Sequence, residues 1–211
     1  MKKRILLAIV LVLCAIGLAK LCIPKEAPSQ SSKPKETQKV KKVSAAEAAR
    51  PYKDPKDLRS EGTWKLKSET KAYPKITSKK GLVIKVSLKG NRVYIIKNGK
   101  RVYTMLSSAG IYHNGKFDTP TGTYYVRYER GDTFFNHKLK EGANYWTSWD
   151  KKNVYLFHSV PTKANGKYNL TEAAKLGKTQ GSHGCIRLSL PDSKWIMKNI
   201  PAGTKVIIKD E

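Results

Sequence analysis

The stretch from 181 to 190 reads GSHGCIRLSL, with Cys185 one residue after Gly184, two after His183 and two before Arg187. A thiol is a poor nucleophile at neutral pH until a neighbour takes its proton or lowers its pKa. Here helpers stand on both sides. His183 and, upstream, His158 offer imidazoles. His158 closes the apolar run NVYLFH (153–158), and a base carried on a strand is held more rigidly than one on a loop. Gly184 permits close approach of a substrate backbone and frees N–H groups to face an oxyanion. Arg187 falls on the same side as Cys185 if the chain is extended, adding positive charge near a thiolate or a substrate carboxylate. The bland alternative is a buried cysteine in an ordinary strand beside a surface histidine. His113 and His137 read as surface residues.

Which reading holds depends on where the stretch resides. The chain opens MKKRILLAIVLVLCAIGLAKLCIP: a basic n-region, then an apolar run from Ile5 to Ala19 that Leu21, Cys22 and Ile23 extend to Pro24. Such a segment is a secretory signal or a signal-anchor. It is read here as a retained anchor (1–24), with Gly17-Leu18-Ala19 as the alternative cleavage site. Everything after Pro24 is then outside the cytoplasm. Of three cysteines, Cys14 and Cys22 belong to the apolar segment, so Cys185 is the lone exported thiol. Structural cysteines outside the cytoplasm normally pair, which leaves an interchain cross-link or a reactive group.

The net charge of +26 is spread along the chain, with 16 basic against 7 acidic residues in 25–80 and 22 against 9 in 81–211. For an exported protein this points away from nucleic acid and towards anionic wall polymers or lipid head groups. Residues 25–80 are rich in Lys, Pro and Ser and read as a linker or arm, flexible at first, with a helical turn near 44–50 and sparse apolar residues from Leu58 to Ser78.

From Gly81 the pattern is that of strands. Leu82, Ile84, Val86 and Leu88 alternate with polar residues, and Asn98-Gly99 between two β-rich runs is a hairpin signal. Further strands are expected in 123–129, 153–158 and 205–209, and short helices at 171–176 and 192–199. The expected domain (81–211) is mainly β, antiparallel and sandwich-like, with one or two short helices.

Ser182-His183-Gly184-Cys185-Ile186-Arg187, with Phe157-His158-Ser159 and Pro120-Thr121-Gly122-Thr123, resembles the L,D-transpeptidase catalytic domain of the YkuD type, over about residues 82–209. The resemblance implies that Cys185 is the nucleophile, His158 its base and Ser159 the residue whose carbonyl orients that base. It implies that His183 is a second active-site histidine and that Arg187 supports the loop or the donor peptide. Gly184 and Cys185 would supply the oxyanion N–H groups. The expected substrate is a peptidoglycan stem peptide, with no metal or cofactor. Tyr145, Trp146 and Trp149 in ANYWTSW would wall a peptide groove or else be simple core. One departure is the stretch 161–180, PTKANGKYNLTEAAKLGKTQ, which lengthens the interval from His158 to Cys185 and implies a longer loop with its own helix.

The rival readings are an L,D-carboxypeptidase of the same fold and a non-catalytic basic wall-binding module. A sortase would keep its arginine far from the cysteine in sequence. A zinc site from His158, His183 and Cys185 lacks any paired Cys-x-x-Cys knuckle to back it.

Overall fold

The computed structural model describes residues 43–211; the apolar segment and the first part of the expected linker lie outside them. Among the described residues no helix is long and apolar enough to cross a membrane. A single turn, α1 (Ala45–Ala48), is capped by the Ser44 hydroxyl, which accepts the Glu47 N–H at 3.1 Å. The alternation after Gly81 becomes β1 (Leu82–Ser87), followed by β2 (Arg92–Lys97) and β3 (Lys100–Ser108). Asn98 and Gly99 both adopt positive φ, the backbone that a tight hairpin turn demands.

A small hairpin, β4 (Tyr112–His113) and β5 (Lys116–Phe117), precedes β6 (Gly122–Tyr125). Then come β7 (Arg130–Asn136), β8 (Glu141–Ser148), β9 (Leu156–Ser159) and β10 (Thr162–Lys163). The lengthened stretch carries α2 (Leu170–Ala173), C-capped by Ala174, with Gly177 at φ +77° in the turn that follows. The three-residue β11 (Ile186–Leu188), α3 (Leu190–Asn199) and β12 (Lys205–Lys209) complete the chain.

The domain is mainly β with few helices, as expected, but in place of a sandwich-like antiparallel arrangement ten strands form one mixed, mostly antiparallel sheet in the order β10-β8-β9-β11-β3-β2-β1-β12-β6, with β7 paired to β8. The sheet curls. Tyr124 on β6 meets Trp149, just beyond β8, with ring centroids 4.8 Å apart, although the two strands lie near opposite ends of the order. Inside are Ile84, Ile95, Met105, Phe157, Ile186, Leu188 and Val206, all fully buried, with α3 contributing Trp195 and Ile196. Two pairings are parallel, β1 with β12 and β9 with β11. The second fixes the site. Ile186 sits beside Phe157 and Arg187 beside His158, so the strand entered by Cys185 runs alongside the strand that bears the imidazole.

Residues 43–80, expected as linker or arm, lie along the domain in the structure. Arg50 and the buried Arg92 share Asp54 and Glu61. Tyr52 meets Tyr94 edge-on at 4.9 Å. Glu69 Oε1 accepts the Thr104 N–H at 2.7 Å, and Tyr73 stacks on Trp195 at 5.1 Å. Leu58 and Trp64 pack on a second small core of Leu106, Val160, Ala173 and Leu176. The segment has few apolar residues, but Leu58, Trp64, Tyr73 and Ile76 pack on cores already built by the domain, and Asp54 and Glu61 neutralise Arg50 and Arg92.

Asp192 on α3 is the buried anchor of this arm. It accepts the Tyr73 hydroxyl at 2.7 Å and both the N–H and the hydroxyl of Ser68. Asp192→Ala leaves these donors unpaired, and a loss of about 2 kcal/mol is expected. Thermal unfolding should therefore drop by ~5 °C, and trypsin should gain access at Lys71 and Lys75. An unchanged melting temperature would contradict the anchoring role.

Candidate active site

The cysteine turn is held from both flanks. Gly181 and Ser182 donate to the Ala109 carbonyl, and the Ile111 N–H donates to the Ser182 carbonyl at 3.0 Å. The chain is thus stitched along the continuation of β3 before it reaches Cys185. Gly184 has φ +127°, and a Cβ there would strike the Tyr155 ring, so only glycine fits. Ser182 Oγ accepts the Gly184 N–H at 3.1 Å and donates to the Cys185 carbonyl at 2.5 Å. The Thr119 hydroxyl donates to the Gly184 carbonyl at 2.8 Å and accepts the Gly110 N–H at 2.8 Å.

This arrangement changes one expectation. The Gly184 N–H, expected to face an oxyanion, donates to Ser182 Oγ in this structure. The Gly184–Cys185 peptide is trans, so the Cys185 N–H points away from the carbonyl that Thr119 holds. Ser182, the hydroxyl nearest in sequence, spends its proton on the Cys185 carbonyl.

His158 on β9 is buried, and its Nδ1 lies 2.6 Å from the Ser159 carbonyl. A carbonyl can only accept, so Nδ1 carries the proton and Nε2 the lone pair. Phe134 meets the ring edge-on at 5.4 Å. His158, His183 and Cys185 line one cleft of about 390 Å³, together with Phe134, Leu139 and Tyr155. His183 is exposed there, and Cys185 is half-buried, with its Sγ 3.8 Å from the Val154 carbonyl.

Arg187 does not reach into that cleft. It is 1% exposed. Its Nη2 donates to both Glu141 oxygens at 2.8 and 2.9 Å, and its Nη1 donates to Glu172 at 2.6 Å and to the Gly181 carbonyl at 2.8 Å. The guanidinium is therefore a clamp that ties β11 to β8 and to α2, and it is not presented to a substrate carboxylate.

The aromatic groove also differs from expectation. Trp149 is 1% exposed, a core side chain between Tyr124, Tyr155 and Phe157. Trp146 donates its indole N–H to the Thr133 carbonyl at 3.2 Å, and Tyr145 lies under Lys194. Neither lines the cleft. Its apolar walls come from Phe134, Leu139, Val154 and Tyr155. His113 and His137 are exposed. Among the described residues no group of three His, Cys, Asp or Glu could hold a metal ion.

Sequence reasoning missed Thr119, Glu141, Glu172 and the structural use of Ser182. Thr119 directly precedes the Pro-Thr-Gly-Thr motif, and that adjacency was the available signal. The two glutamates carried none beyond the scarcity of acids in so basic a chain.

Burial pushes the Cys185 thiol up to about 11, with Glu141 adding to the rise while a Leu156 main-chain bond and Arg187 oppose it. Burial and the neighbouring Arg187 charge hold the His158 imidazole down to about 3, against the pull of the Ser159 carbonyl. Both groups are thus neutral at neutral pH. Thiol and imidazole therefore line the same cleft with both groups favoured in their neutral forms.

Comparison with known proteins decides the family. The L,D-transpeptidase catalytic domain model, YkuD, matches residues 81–208. The chain belongs to this family. It is 47% identical over 136 residues to YciB of Bacillus subtilis (strain 168), an L,D-transpeptidase by name, covering 64% of this chain and 69% of that one. Among solved structures it is similar to a fused Zn-dependent amidase/peptidase/peptidoglycan-binding domain protein from Clostridium acetobutylicum, with 29% identity and a TM-score of 0.45. It is also similar to an L,D-transpeptidase from Mycobacterium smegmatis, with 16% identity and a TM-score of 0.49. Each match covers 61% of this chain, and the chain spans only 52% and 58% of those two structures.

The neutral pair gives a direct test. Iodoacetamide labelling of the Cys185 peptide should keep rising as pH passes the ordinary thiol value of 9.0, towards about 11. Labelling already at its plateau at neutral pH would reveal a resting thiolate and overturn the assignment.

Proposed function

We propose that this YkuD-family protein is a peptidoglycan L,D-transpeptidase that works through a thioester on Cys185. The thiol sulfur attacks the carbonyl carbon of the amide between an L-centred third residue and the terminal D-Ala of a stem peptide. His158 Nε2 takes the thiol proton as the C–S bond forms. The imidazolium then gives that proton to the departing D-Ala amine, and the C–N bond breaks. The amine of a neighbouring stem attacks the thioester and restores the free thiol, leaving a cross-link. The Cys185 N–H is the oxyanion donor in this scheme.

The observation that carries the reading is a shared cleft: a half-buried unpaired thiol and an imidazole whose lone pair is directed by a committed Nδ1 proton. His183, at the cleft mouth, acts in substrate handling in this account. The domain works outside the cell membrane. Support comes from the basic n-region and apolar run of residues 1–24, and the positive charge would hold the protein against anionic wall polymers or lipid head groups.

Mass spectrometry of the full-length protein incubated with a stem tetrapeptide is the test. An acyl adduct on the Cys185 peptide with release of D-Ala is expected. Cys185→Ala should abolish both while leaving thermal unfolding nearly unchanged, and His158→Ala should slow acylation by at least about 10²-fold. Turnover by Cys185→Ala, or an adduct on another residue, would refute the reading. An added amine acceptor separates cross-linking from hydrolysis.

A further inference from the structure

The strand that carries the base lacks part of its expected ladder. β8 and β9 pair at Ser148–Leu156 and Thr147–Phe157, and the pairing then stops. The next stretch of β8 includes Tyr145 at φ +54°, a left-handed backbone that breaks the pleat. The interruption falls at His158 and Ser159, where rigid support matters most. A side chain fills the gap: the Asn144 N–H of β8 donates to Ser159 Oγ at 3.0 Å, in place of a main-chain bond. Ser159 also supplies the carbonyl that fixes the His158 tautomer.

Asn144 is itself held from outside the sheet. Its side-chain amide donates to the Tyr168 hydroxyl at 2.5 Å. Tyr168 belongs to the lengthened stretch 161–180, and its ring lies 4.7 Å from that of Trp64. Trp64 precedes the span matched by the family, in the arm docked on the domain. The Trp64 carbonyl also accepts the Leu190 N–H at 2.8 Å, at the start of α3. A continuous path of contacts therefore runs from the arm, through the inserted stretch and Asn144, to Ser159 and the imidazole.

We infer that Tyr168 is a positioning residue for His158, and that Trp64 holds it in place, so the arm ahead of the catalytic domain helps to aim the base. The inference rests on the assignment of His158 as that base. Without the Tyr168 hydroxyl, the Asn144 segment loses its outer tether, Ser159 gains freedom, and its carbonyl no longer commits the Nδ1 proton. The imidazole then samples the tautomer with its proton on Nε2, which cannot accept one from a thiol.

Tyr168→Phe keeps the ring and its stacking and removes only the hydroxyl, so the full-length variant should fold. The readout is the pair of His158 ring nitrogen shifts by NMR, assigned with a His158→Gln variant. Wild type should show Nδ1 protonated and Nε2 bare, and Tyr168→Phe should show averaging between the two forms. D-Ala release should fall about ten-fold in kcat with KM little changed, as expected for a misaligned group. Trp64→Ala should produce the same averaging, and Trp64→Phe should restore the wild-type shifts. Unchanged His158 shifts in Tyr168→Phe would overturn the proposal. If the His158 shifts move in Tyr168→Phe while the wild-type protein releases no D-Ala, the transpeptidase reading is refuted and the positioning role stands.

Discussion

A guanidinium with 1% exposure sits in the strand that leads out of Cys185. A buried charge is tolerated only when it is paired and hydrogen-bonded, and removing one partner is strongly destabilising. Arg187 therefore dictates its surroundings. Glu141 must come from β8, Glu172 from α2, and the Gly181 carbonyl from the turn before Cys185. These three attachments fix the edge of the cleft, the docking of the inserted stretch and the path of the cysteine turn. The long interval between His158 and Cys185 is thus part of the site's frame, because it delivers one of the two carboxylates.

The same charge shapes the chemistry. Arg187 stands beside His158 in the β9–β11 register and disfavours an imidazolium, and burial acts in the same direction. Burial likewise disfavours a thiolate. Both effects favour a neutral pair, and in the proposed mechanism charge separates only when a substrate carbonyl is present to carry it on. Glu141 and Glu172 make this workable, since their carboxylates offset the guanidinium when the imidazolium forms. A resting neutral thiol is also less open to oxidation than a thiolate.

What the residue pattern alone could say divides along physical lines. That Cys185 and His158 share one cleft was legible because both sit in short motifs, and the Asn98-Gly99 hairpin because its backbone needs are local. The β7–β8 hairpin was not, since β7 is largely exposed on both faces and shows no apolar stripe. Ion pairs joining residues 46 and 15 positions apart leave no local trace, so the partners of Arg187 were invisible and its support of the loop stood beside a role at the thiolate or the donor peptide. Trp149 in ANYWTSW has a composition suited equally to groove and core, and only the curl of the sheet puts it inside. The segment before Gly81 could not be told apart as linker or arm, because Leu58, Trp64, Tyr73 and Ile76 bury singly, into places the rest of the chain constructs.

The central claim is that proton transfer from Cys185 to His158 accompanies attack on the substrate. The solvent isotope effect on acylation, measured in a single turnover with stem peptide in H2O and D2O, addresses it most directly. A proton in flight at the transition state makes acylation slower in D2O. Equal rates in the two solvents would mean that the proton had moved before the substrate arrived, contradicting a neutral resting pair.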